Sequence, residues 1–205
     1  MIELYTAGTA NGHRAAIALE ESGLAYRAHK LDLQAGEHRR PEYLRINPAA
    51  AIPAIVDDDG PGGKPLALAQ SGAILLYVAE KSGRFLPQDP ARRATALQWF
   101  MQACSDCAGT SGAIFQLAAN APEKVPANIE FFEKRLIGFL RDADARLAGR
   151  DHLADELSIA DLALYPIVAT RKPLIEKHGP LPNLEAWAAR MAARPGIAKG
   201  MQVSV

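Results

Sequence analysis

The chain has 205 residues, 49% of them hydrophobic, enough for a substantial core in one large or two small domains. Lysine plus arginine balances aspartate plus glutamate at 23 each, so no global field gathers nucleic acid or an anionic membrane surface, and no run approaches the roughly 18 apolar residues that span a bilayer. Met1 leads into a strand-like segment rather than a leader, two cysteines three residues apart make no disulfide framework, and the five histidines lack ligand spacing, so the expectation is a cytoplasmic protein without a structural metal.

Ile2, Glu3, Leu4 and Tyr5 alternate as a first strand, and the small polar residues 6–12 form a strand-to-helix loop. A helix starts near Asn11, carries Ala15, Ala18 and Leu19 at helical spacing and stops at Gly23. Residues 26–33 read as a second strand, with Leu31 and Leu33 alternating with Lys30 and Asp32, which completes a βαβ unit. Residues 34–44 are charged and contain Pro41, the signature of a surface loop holding at most a short helix.

The apolar run 52–56 has a proline second, and proline cannot donate to a sheet ladder, so Pro53 marks a loop-to-strand junction and a candidate cis peptide bond. Such an entry turns the backbone N–H and C=O of Ile52 outward as an unpaired edge, able to bind an extended peptide as one more strand. Three aspartates followed by Gly60, Pro61, Gly62 and Gly63 supply a hairpin loop into Leu66 and Leu68. Gln70 and Ser71 then open a helix with Ser71 as a candidate N-cap, Ile74, Leu75 and Val78 on one face and a stop near Gly83. Free N–H groups at that helix start favour a carboxylate. Edge and helix start together suit a small acidic peptide.

Residues 84–90, with Pro87 and Pro90, read as a linker, and everything beyond is helical. Leu97, Met101, Cys104 and Ala108 make one apolar stripe, and Phe132, Leu136, Phe139, Leu140, Ala143 and Leu147 another. Ser158 and Asp161 have capping-box spacing ahead of Ile159, Leu162, Ala163 and Ile167. Leu184, Trp187, Ala188 and Met191 form the last helix, before Arg194, Pro195 and Gly196.

Ile-Pro-Ala-Ile-Val at 52–56, followed by Gln-Ser-Gly-Ala-Ile-Leu-Leu-Tyr at 70–77, closely resembles the glutathione-binding half of the glutathione transferase superfamily. The resemblance covers nearly the whole chain and is most specific over residues 1–83. It implies an α/β plus all-α protein: a thioredoxin-like βαβ-ββα domain at 1–83, a linker at 84–90 and a helical bundle at 91–205. It also implies a homodimer with glutathione as co-substrate, and a structural rather than catalytic role for Ser158 and Asp161. The order of elements read independently agrees with that domain.

Glutathione is useful as a thiolate, and an ordinary cysteine thiol has a pKa of about 8.5, so the protein must donate hydrogen bonds to sulfur. Thr9 and Asn11, at a helix start that favours negative charge, are placed for this. Thr-Ala-Asn-Gly-His at 9–13 looks like the loop of bacterial nu-class glutathione transferases, which reduce disulfides with glutathione. From the residues alone Asn11 reads equally as a plain N-cap and Thr9 as a turn residue, and Tyr5 is a rival donor.

The resemblance further implies that Ile52, beside Pro53, pairs its backbone with the cysteinyl unit, and that Gln70 and Ser71 hold the γ-glutamyl carboxylate and ammonium. His38, with Arg39 or Arg40 as alternatives, then meets the glycyl carboxylate. Many bacterial relatives carry an acid where Gln70 stands, a departure that bears on affinity. Asp106 could reach the γ-glutamyl ammonium across a dimer. Cys104 and Cys107 have C-x-x-C spacing but lie outside the thioredoxin-like domain, where the redox motif would coincide with residues 9–11, so they read as core residues.

Three functions follow: glutathione-dependent disulfide reduction, conjugation of glutathione to electrophiles, or a non-catalytic binding module. The second small-molecule substrate is expected between the Thr9 loop and residues 100–115, where Ala103, Ala108, Gly109 and Gly112 suggest a roomy wall.

Overall fold

The computed structural model describes residues 1–203; residues 204 and 205, to which the expected helical domain extends, lie outside the described residues. The chain forms two compact units, one of Met1–Phe85 together with the segment from Ala192, the other of Leu86–Met191.

The first unit runs β1 (Ile2–Thr6), α1 (Ala10–Ser22), β2 (Tyr26–Lys30), α2 (Pro41–Leu44), β3 (Ala54–Asp57), β4 (Leu66–Ala69) and α3 (Ser71–Ser82). The βαβ-ββα order is therefore as expected. Its four strands lie in the order β2-β1-β3-β4, with β1 and β2 parallel and the other pairs antiparallel. Along β1 burial alternates: Ile2, Leu4 and Thr6 are buried and Glu3 and Tyr5 half-buried. The core joins Leu4 and Ile55 to Ile17 and Leu19 of α1 and to Ile74, Leu75 and Val78 of α3. Gly23 and Gly83 end these helices in the left-handed conformation, at φ 74° and 67°, where glycine carries no Cβ penalty.

Two local expectations are corrected. The second strand ends at Lys30, because the Asp32 carboxylate accepts from the N–H groups of Gln34 and Ala35 at 2.8 and 2.9 Å and closes a turn there. Ser71 is not an N-cap: Gln70 holds that position and Ser71 is already helical, with its hydroxyl directed elsewhere. The Ile52–Pro53 bond is cis.

The second unit contains α4 (Pro90–Met101), α5 (Ala108–Phe115), α6 (Pro126–Arg146), α7 (Ile159–Thr170), α8 (Lys172–His178) and α9 (Pro182–Ala192), with π-helical stretches at Gln102–Cys107 and Gln116–Asn120. Asp89 caps α4 by accepting from the Arg92 N–H at 2.9 Å. The apolar stripe across α4 and α5 is displaced by one residue from the expected one. Ala96, Phe100, Ala103, Cys107 and Ile114 are buried, while Met101 is 55% exposed and Cys104 only half-buried. Both neighbouring stripes are apolar, so periodicity sets their spacing but not which one faces inward.

The long stripe is as read at Leu136, Leu140, Ala143 and Leu147. At the start of α7 the capping box forms: the Ser158 N–H donates to Asp161 Oδ2 at 3.0 Å, and the fully buried Asp161 also accepts from the Leu153 N–H at 3.1 Å and Trp187 Nε1 at 3.0 Å. These bonds give Asp161 a structural role.

A final helix, α10 (Pro195–Gln202), returns to the first unit and packs on α1. Gly200 allows the approach, since a Cβ there would stand 2.6 Å from Ile17 Cα. Arg194 forks onto the buried Glu21 at 3.2 and 2.6 Å, and the His13 ring donates to the Gly200 carbonyl. No described helix is long and apolar enough to cross a membrane.

Candidate active site

The sheet register gathers the expected site residues at one end of the first unit. Thr6, at the end of β1, lies beside Lys30 at the end of β2; Tyr5 pairs with Ala54, where β3 begins, and Ala54 with Ala69, where β4 ends. The Thr9 loop, the Ile52–Pro53 entry and Gln70 therefore extend from the same edge.

Thr9 is the N-cap of α1, and its Oγ1 accepts from the Gly12 N–H at 3.1 Å. The cap is thus Thr9 rather than Asn11. Having accepted, the hydroxyl keeps its own hydrogen for another partner. Gly12 is required at this approach, because a Cβ would fall 2.1 Å from the Ala7 carbonyl oxygen and 2.6 Å from Thr6 Oγ1. Asn11 is exposed in the first turn. Its Oδ1 accepts from Arg14 Nη1 at 3.0 Å and from the Ser71 hydroxyl at 3.2 Å, while Arg14 also donates to Ser71 Oγ at 3.4 Å.

A guanidinium offers only donors, so the amide must present its oxygen inward and its NH2 outward. The result is a pair of outward donors, the Thr9 hydroxyl and the Asn11 NH2, at a helix N-terminus with a buried guanidinium behind them. Each feature favours an anion. Arg14 escaped the sequence reading although a signal was there: it stands one turn after Asn11 and four residues before Ala18, which belongs to the helix's buried face.

Ser71 is 7% exposed, and Gln70 before it is exposed, with φ 73° and ψ 116°. A non-glycine residue in that region holds strain of about 1–3 kcal/mol, of the kind found at binding sites. Ile52 stands two residues ahead of the strand, and among the described residues its N–H and C=O meet no backbone partner. The preceding turn is fixed by a second residue that sequence reasoning missed. Tyr43, 3% exposed, donates to the Ala51 carbonyl at 2.5 Å, and Asn47 Nδ2 donates to the same oxygen at 2.6 Å.

His38 lies in a 3-10 turn at Glu37–Arg39, with Nδ1 buried and without a hydrogen-bond partner among the described residues. A cavity of about 400 Å³ opens between Ala7, Gly8 and Thr9 on one side and Lys30, Leu31, Leu33 and Glu37 on the other. Tyr5 stacks on His29 at 4.6 Å between centroids and meets Tyr43 at 5.9 Å. Asp106 is exposed in the second unit, and Cys107 is buried there with Cys104 half-buried beside it.

By class the chain is a glutathione-dependent enzyme, on the strength of the family and the relatives that it matches. The chain belongs to the glutathione S-transferase family: residues 1–80 match the family's N-terminal domain and residues 110–202 its C-terminal domain. It is 39% identical over 204 residues to the disulfide-bond oxidoreductase YfcG of Escherichia coli, covering 98% of this chain and 94% of that one. To YghU, a disulfide-bond oxidoreductase of the same organism, it is 30% identical, covering 99% of this chain and 75% of the other.

Among solved structures, a glutathione transferase from Pseudomonas putida with one glutathione disulfide bound per subunit superposes with a TM-score of 0.91 at 34% identity, covering 98% of this chain and 90% of that chain. A glutathione transferase family member from Pseudomonas fluorescens with two glutathione bound gives 0.90 at 33%, covering 98% and 92%.

Proposed function

We propose that the protein binds glutathione at this sheet edge and uses its thiolate to reduce disulfides. One observation carries the reading: Thr9 and Asn11 each have their inward atom occupied, by Gly12 in one case and by Arg14 and Ser71 in the other, which leaves two donors facing out at the α1 N-terminus. Ile52, beside Pro53, pairs its backbone with the cysteinyl unit. Gln70 and Ser71 hold the γ-glutamyl carboxylate and ammonium, and His38 meets the glycyl carboxylate.

The thiolate attacks one sulfur of a disulfide, forming a mixed disulfide with glutathione and releasing the other sulfur as a thiolate that takes up a proton. A second glutathione thiolate resolves the mixed disulfide to glutathione disulfide and the second thiol. No protein cysteine takes part. The names of YfcG and YghU as disulfide-bond oxidoreductases support this choice over conjugation. A cytoplasmic location and a homodimer complete the reading; the homodimer is supported by the exposed Met101, Phe115 and Phe131 of the helical unit, which offer apolar surface to a second copy.

The test is turnover of a model mixed disulfide and of an aryl halide side by side at saturating glutathione, for wild type and Asn11→Ala. Disulfide reduction that falls by about 10²-fold in the variant is the expected result. Turnover of the halide alone would move the protein to a conjugating role, and turnover of neither to a binding module.

A further inference from the structure

We infer that Arg14 is the positioning residue of the thiolate site, an assignment that rests on the reading just proposed. Arg14 is 1% exposed, sits on α1 one turn beyond Asn11, and donates to Asn11 Oδ1 at 3.0 Å and to Ser71 Oγ at 3.4 Å. An amide can usually turn over at little cost. Here a flip would set the NH2 of Asn11 against the N–H groups of a guanidinium that has no acceptor to offer. Arg14 therefore fixes which edge of Asn11 faces the sulfur.

The arrangement becomes necessary when substrate binds. The Ser71 hydroxyl has a single hydrogen, which goes to Asn11 Oδ1 at 3.2 Å. A carboxylate arriving at the start of α3 draws that hydrogen into a stronger, charge-assisted bond. Asn11 then loses one of its two donors at the moment glutathione occupies the site, and Arg14 alone keeps the amide oriented. The guanidinium also carries its positive charge behind the amide, which favours the thiolate over the thiol and strengthens the NH2 as a donor. A lysine here keeps the charge but, as a point donor on a flexible stem, loses the planar fork that reaches both partners.

The experiment follows thiolate absorbance of bound glutathione across pH in wild type, Arg14→Met and Arg14→Lys. Affinity for S-methylglutathione is measured alongside, because that ligand fills the same site without ionising. In wild type the bound thiol is expected to titrate below free glutathione. Arg14→Met is expected to raise that pKa by about one pH unit or more, a tenfold loss of thiolate on the acid side, with S-methylglutathione affinity held within about threefold. Arg14→Lys is expected to recover part of the difference.

A wild-type thiol that titrates at its ordinary pKa would overturn the thiolate reading itself. A depressed wild-type pKa that stays put in Arg14→Met would overturn the role of Arg14 alone, as would a loss of S-methylglutathione affinity as large as the loss of thiolate. Where Arg14→Met does not fold, Arg14→Gln carries the test: it is neutral, and its amide offers an acceptor as well as a donor, so it no longer dictates which edge of Asn11 faces the sulfur. An unchanged thiol pKa in that variant refutes the assignment.

Discussion

Gly12 is where fold and chemistry meet most tightly, and Gly12→Ala measures how tightly. The added Cβ would lie 2.1 Å from the Ala7 carbonyl oxygen and 2.6 Å from Thr6 Oγ1, in a pocket where Thr6 is fully buried and fixed in the sheet. Real Cβ contacts essentially never fall below 3.0 Å, so the first turn of α1 must move by about 0.9 Å. That turn carries the Thr9 cap at 3.1 Å and the Asn11 bonds at 3.0 and 3.2 Å. The Thr9 and Arg14 contacts lie within α1 and its cap and travel with it, but the Ser71 contact crosses to α3 and, stretched by such a shift, leaves hydrogen-bonding range.

Overpacking of this size costs about 1–3 kcal/mol, or about 2–12 °C in Tm for a chain of this length. A donor displaced by about 1 Å lowers kcat/KM for disulfide reduction by about 10²-fold. The assay pairs thermal unfolding with steady-state reduction of a mixed disulfide. A Gly12→Ala protein with wild-type kcat/KM would show that the first turn of α1 does not set the geometry of the reaction.

Two further outcomes follow from the packing. Asp161→Ala removes the acceptor for four buried donors, the Ser158 and Leu153 N–H groups, the Ser158 hydroxyl and Trp187 Nε1, and is expected to cost about 3–5 kcal/mol in urea denaturation; a loss under about 1 kcal/mol would contradict the role given to Asp161. Burial pushes the His13 imidazole down from its ordinary 6.5, against the opposing effect of its bond to Gly200. The unfolded chain then gains a proton near 6.5 and the folded chain only at lower pH, so stability is whole above that value and is lost as pH falls below it. The drop in Tm between about pH 7.5 and about pH 5.5 is expected to be smaller in His13→Gln than in wild type, and equal drops would refute the linkage.

Local signals carried the sequence reading where one residue type decides a backbone feature. Gly23 and Gly83 mark helix ends, Pro53 the entry to a strand, and Ser158 with Asp161 a helix start, and each stands where its local chemistry demands. What failed was the choice between equivalents and the identification of distant partners. The stripes at 97 and 96 are equally apolar, so only tertiary contact decides between them. Ser71 has the chemistry of a cap, yet its hydroxyl is taken by Asn11, sixty residues away. The bond of Tyr43 to the Ala51 carbonyl has no periodic signature at all. The helix after Pro195 is short and docks through two glycines, Gly196 and Gly200, whose significance appears only when α1 is seen against them.

The proposed chemistry also explains why the site uses neutral donors at its surface and keeps its charge underneath. A thiolate loses nucleophilicity as its pKa falls, and the best attacking thiol has a pKa near ambient pH. A cation in direct contact with sulfur would stabilise the anion further but leave it a weaker nucleophile. In the proposed site a hydroxyl and an amide would stabilise it moderately, and Arg14, separated from the open side by the Asn11 amide, would add charge without contact. The same separation lets the guanidinium stay 1% exposed and hydrogen-bonded to Asn11 and Ser71, a condition for keeping a charge in the interior. A site built this way suits repeated attack on disulfides, where the thiolate must leave its donors readily in every cycle.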